Sequence, residues 1–113
     1  MTGPPHEHLL RRLAIGDEEL LEALLGTELS ATSVPDLDGR SCALVRLAGL
    51  VAVGAPAATY QWCVAAALAA GATDEAVPGV LAALVPIVGA VRVVSAAPEV
   101  ALALGRAVPD AGA

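Results

Sequence analysis

Residues 38–75 read DGRSCALVRLAGLVAVGAPAATYQWCVAAALAAGATDE, and this stretch decides the fold. Asp38 is a good N-cap, and Leu44, Val45, Leu47, Ala48 and Val51 follow it with helical spacing until Gly54 stops the segment and Pro56 opens the next. A second helix is expected from about Ala57 to Ala70, ending at Gly71. After it, Thr73 supplies a hydroxyl cap, and Asp74 and Glu75 sit at the positive end of a further helix. The 27 residues from Leu47 to Thr73 carry no formal charge, enough by length to cross a bilayer, which needs about 20. Against a membrane hairpin, Gly54 and Pro56 cut the run in the middle, Tyr60, Gln61 and Trp62 would fall near its centre, and its alanines add little insertion energy. The expectation is two helices buried in a protein core, with no membrane as partner.

Outward from this stretch the helical pattern continues. Residues 1–5, with Gly3, Pro4 and Pro5, read as a flexible N-terminus. Residues 6–26 read as two short helices. Glu7 to Ile15 places Leu9, Leu10 and Leu13 on one face and ends at Gly16; Asp17 then caps a helix with Glu18 and Glu19 in its first turn, Leu20, Leu21, Leu24 and Leu25 as its apolar stripe, and Gly26 beyond its end. Thr27 to Pro35 reads as a loop. Downstream, Ala76 to Val94 is expected to be one helix with an irregular start at Pro78 and a kink or break before Gly89, followed by a separate short helix at Glu99 to Leu104 and a fraying end from Pro109. No segment alternates with period two, and the β-branched run Val91 to Val94 is too short to argue a sheet. The fold class is all-α, and at 113 residues the chain has length for one domain, 1–113.

Composition narrows the partners. Twelve acidic residues against six basic ones, all arginine, give a net charge of -6, so the chain has no basic surface of the density that nucleic acid requires. Apolar residues make up 57%, more than a domain this small hides alone, which predicts that it associates with copies of itself. Cys42 and Cys63 lie in apolar stretches without metal-ligand spacing, and the first residues show no secretory signal, so a reducing cytoplasm is the expected compartment.

Leu37-Asp38 through Leu47-Ala48 resembles the opening of the carboxymuconolactone decarboxylase family, which includes the alkylhydroperoxidase D-like proteins. Cys63 through Ala76, with Ala67, Gly71, Thr73 and Glu75, is similar to a family passage headed by histidine. Val80 through Gly89 resembles the helix that follows it, and the likeness covers residues 37–105. The resemblance implies an orthogonal helical bundle assembled as a homotrimer or a trimer-based hexamer. In the alkylhydroperoxidase D-like branch the working unit is Cys-x-x-Cys-x-x-x-His with a glutamate on the preceding helix, so that imidazole and carboxylate activate the thiol. Laid on this chain, those columns fall at Pro56, Thr59 and Cys63, with the glutamate at or beside Ala43. Both cysteines, the histidine and the acid of the family site are thus replaced, and a shared fold lends no activity once the site residues are gone.

Few residues remain as candidates. Cys63 stands in a catalytic column beside the only aromatic residues, Tyr60 and Trp62; it is either a reactive thiol, which needs a cation such as Arg46 or Arg92 nearby, or a buried structural one. A Cys42–Cys63 disulfide stays open. Arg46 and Arg92 lie in apolar segments, where they either line a pocket for a small anionic ligand or pair with Asp38, Glu75 or another subunit. The family's site location suggests a pocket bordered by Trp62, Cys63 and Arg92, open to a small anionic or apolar molecule. His6 and His8 flank Glu7 in a proline-rich end and read as solvated, so no metal is expected, and no cofactor. The acids Asp17, Glu18, Glu19 and Glu22 read as a cap and a solvated face. Two functions follow. One is a non-catalytic or small-molecule-binding oligomer; the other is a divergent enzyme, either a decarboxylase or isomerase using Arg46 or Arg92, or a one-cysteine peroxidase using Cys63.

Overall fold

A computed structural model describes residues 5–27, 34 and 36–107. They form six helices: α1 (Pro5–Ala14), α2 (Glu18–Leu25), α3 (Gly39–Val53), α4 (Ala57–Ala69), α5 (Ala76–Val88) and α6 (Ala90–Ala107). No strand occurs among the described residues; Val34 and Leu37 make one isolated bridge around Asp36, whose φ is +64°. The fraying expected from Pro109 and most of the expected 27–35 loop lie outside the described residues.

The helix ends follow from side-chain chemistry. The Asp17 carboxylate accepts from Leu20 N at 3.1 Å and from Arg12 Nε at 3.0 Å, which caps α2 and ties it to α1 across the left-handed Gly16. Both bonds favour the ionised acid, and they hold its pKa below the usual carboxylate value, the Arg12 bond most. Asp38 caps α3 by accepting from Ser41 N at 2.6 Å, and that bond likewise lowers its pKa. Gly54, at φ +70°, ends α3. Thr73 Oγ1 accepts from Ala76 N at 3.2 Å in the turn that leads into α5, whose N-cap residue, Glu75, makes no side-chain cap bond.

Two expectations change and one is sharpened. First, α1 starts at Pro5, because a proline fits the first turn, where its missing N–H has no intrahelical acceptor. His6 and His8 therefore sit on a helix, two residues apart and on different faces, which prevents them from sharing a metal. Second, the kink or break expected before Gly89 is a full break, with Gly89, at φ +92°, separating α5 from α6. Third, no separate helix begins at Glu99: α6 runs through Pro98 without interruption. Pro98 removes the bond that Val94 O would accept, but both residues are exposed, so water can take that carbonyl.

Helices α3 to α6 pack on one another, with α4 in contact with both α3 and α6. Their core holds Leu47, Val51, Tyr60, Cys63, Val64, Val77, Leu81, Val93 and Val100. Burying each aliphatic side chain contributes about 1.5–3 kcal/mol. Ala43, Ala67 and Ala72 form a second buried group, where the small side chains let α3 and α4 approach closely. By contrast α2 buries none of its residues, and Leu10, Leu13, Ile15, Leu21, Leu24 and Leu25 are exposed. Among the described residues no helix is long and apolar enough to cross a membrane.

Candidate functional site

Cys63 faces inward from α4 and is only 1% exposed. Its Sγ donates to Ala43 O on α3 at 3.4 Å, which links two of the positions the family resemblance singles out. Burial pushes its pKa up to about 11; the charge of Arg46 acts in the opposite direction but is outweighed. A thiol held protonated, with its hydrogen on a carbonyl, is a poor nucleophile. Cys42 is also buried, and the two cysteines are free thiols rather than a disulfide.

The pocket expected between Trp62, Cys63 and Arg92 does not form. One helical step of 100° separates neighbours on α4, so Cys63 points into the bundle while Trp62, 58% exposed, lies on the outer face over Ala65, Ala66 and Ala69. Arg92 is on α6 and belongs to a different surface. Arg46 is half-buried on α3, and its Nη1 has no contact with water and no hydrogen-bond partner. Neither arginine pairs with Asp38, Glu75 or any other described acid.

The structure does bring Arg92 and Tyr60 together. They line a cleft of about 470 Å³ with Gly54, Ala55, Ser95 and Glu99, where the end of α3 and the start of α4 meet α6. Arg92, Ser95 and Glu99 are spaced i, i+3 and i+7, so one face of α6 forms a whole wall. The Arg92 guanidinium crosses Gly54 at the carboxyl end of α3, where the helix dipole favours a cation. Tyr60 donates its hydroxyl to Leu50 O at 3.4 Å, and burial raises its pKa. The cleft therefore offers a planar cation, a neutral phenol, a hydroxyl and a carboxylate. Arg92 and Glu99, although on one wall, form no ion pair.

Glu99, Ser95 and Gly54 are the site residues that sequence reasoning missed. The signal was the spacing from Arg92 to Glu99, which is visible only if α6 is read through Pro98. Among the described residues no cluster of three or more metal-ligating side chains occurs. Compared with models of known families, with curated proteins and with solved structures, the chain has no match in any of the three.

Proposed function

We propose that this chain is a self-associating, carboxymuconolactone decarboxylase-like bundle that works in the reducing cytoplasm and binds a small anionic molecule without thiol chemistry. The observation that carries the binding is Arg92, whose guanidinium faces a cleft of about 470 Å³ and has no described acid to neutralise it. A guanidinium fork matches a carboxylate, and the apolar walls from Ala55 and Tyr60 suit a short hydrocarbon attached to it. The family likeness is supported by the six helices and by the contact of Cys63 with Ala43, which brings two of the family's site columns together. Assembly as a trimer or a hexamer is supported by the apolar side chains left exposed on α1, α2, α5 and α6.

Burial of Cys63 stands against the peroxidase reading. Tyr60 is poorly placed for the proton exchange that a decarboxylase or isomerase needs, since it already gives its hydrogen to Leu50 O. Calorimetric titration with caproate tests the binding function. Wild type binds, and Arg92→Gln weakens binding about tenfold, the loss of one charge-assisted contact. Equal affinity in the two proteins, or no binding by either, overturns the reading.

A further inference from the structure

The Arg92 cleft has a second charged end that a simple anion leaves unused. Glu99 stands two turns along α6 from Arg92, about 10 Å by helix rise, and forms the opposite end of the same wall. It is half-buried, and its charge reaches Tyr60, where it adds to the rise of the phenol's pKa. No described cation pairs with Glu99, and a bound ammonium would complement its carboxylate. Arg92 does not do so: its guanidinium is drawn to the other end, over Gly54 and the terminus of α3.

Resting on the anion-binding reading, we propose that the ligand is a zwitterion, an ω-amino acid with its carboxylate on Arg92 and its ammonium on Glu99. The floor between the two charges is small and mostly apolar, with Ser95 and Ala96 from α6 and Ala55 from the α3–α4 turn. That floor accepts a methylene spacer and has no charge to hold a polar one. An α-amino acid fits less well, because its two charges are adjacent whereas the wall separates its own by two turns. Selectivity then arises at both ends. A dicarboxylate meets like charge at Glu99, and a diamine meets it at Arg92.

The test is calorimetric titration of the full chain with ε-aminocaproate, caproate and hexylamine, which share a six-carbon chain. The expected result is that ε-aminocaproate binds about tenfold more tightly than caproate. Glu99→Gln abolishes that ratio by weakening ε-aminocaproate, and Glu99→Asp, which keeps the charge, retains part of it. If caproate binds wild type as tightly as ε-aminocaproate, with Arg92→Gln still weakening it, the zwitterion proposal falls and the anion site stands. If caproate binding does not depend on Arg92, both fall. Circular dichroism of each variant keeps a loss of folding from passing as a loss of binding.

Discussion

The guanidinium of Arg92 occupies the space that a side chain on Gly54 would need: its Nη1 lies 2.9 Å from where a Cβ of residue 54 would be. Gly54 thus serves two purposes. It takes the left-handed conformation that ends α3, φ +70°, and it leaves room for the cation that faces the cleft.

Gly54→Ala should therefore lower both stability and ligand affinity. The left-handed strain costs about 1–2 kcal/mol, and the added methyl displaces Arg92 from its position at the helix terminus. Gly71→Ala separates the two effects, since Gly71 also has positive φ, +102°, but nothing lies within 4 Å of its Cβ position. Urea melts should show a loss in both variants, and caproate titration a loss in Gly54→Ala alone. Unchanged binding in Gly54→Ala would mean that Arg92 does not need its place over residue 54.

Cys63 sets a limit on alkaline stability. Its pKa is raised from 9.0 to about 11, so both states keep the proton below pH 9, whereas between 9 and 11 the unfolded chain releases it and the folded chain does not. Stability contributed by the buried thiol is complete below pH 9 and is lost as pH rises through about 11. The slope approaches about 1.4 kcal/mol per pH unit, at most about 3 kcal/mol in all. Tyr60, also raised by burial, adds to the loss at the upper end. Cys63→Ala should flatten the decline measured by urea melts from pH 8 to 11. A thiol reagent at pH 8 should label Cys63 only on the time scale of unfolding; fast labelling in the folded state would restore the peroxidase reading.

Much of the bundle was legible because its helix ends depend on local chemistry. Asp17, Asp38 and Gly54 act within three or four residues of themselves, and each marks the boundary expected of it, whereas α5 starts at Ala76, after the two acids expected in its first turn. Proline was less readable. Whether Pro98 breaks a helix depends on whether Val94 O can reach water, which is a property of the surface and not of the residues on either side. That error hid Glu99 from Arg92 by assigning them to different helices. Cys63, Trp62 and Arg92 were grouped by the family's site location, but the direction of each side chain follows from helix phase, and α4 turns Trp62 outward as it turns Cys63 inward.

Arg46 has a buried Nη1 with no partner, and an unsatisfied cation near the core weakens the fold. Arg46→Met retains the length of the side chain and removes the charge. Replacing a poorly paired charge by an apolar group of similar volume is neutral to stabilising, so a gain of about 1 kcal/mol is expected in urea melts. Because the Arg46 charge is what opposes the rise in the Cys63 pKa, the same variant should alkylate more slowly at pH 10. A loss of several kcal/mol would show instead that Arg46 meets an acid of another copy in the assembly.

The α1–α2 hairpin gives the clearest test of self-association. Helices of ten and eight residues are marginal in water on their own, and here α2 buries nothing while Ile15 is 73% and Leu25 84% exposed. The Arg12–Asp17 pair is half-exposed and too weak to hold the hairpin by itself. On the proposed self-association a second copy supplies the missing cover, and light scattering of wild type should then give a mass that is a multiple of three chains. Leu24→Glu with Leu25→Glu puts two charges into that cover. The expected outcome is a lower mass, with faster amide exchange confined to α1 and α2, because the core of α3 to α6 does not use these side chains. Acid should loosen the same segment in wild type. The Asp17 pKa is depressed, so its contribution is present above the ordinary carboxylate range and is lost as pH falls through the folded value. If the double variant keeps both the mass and the exchange protection of wild type, the hairpin is not the contact between copies.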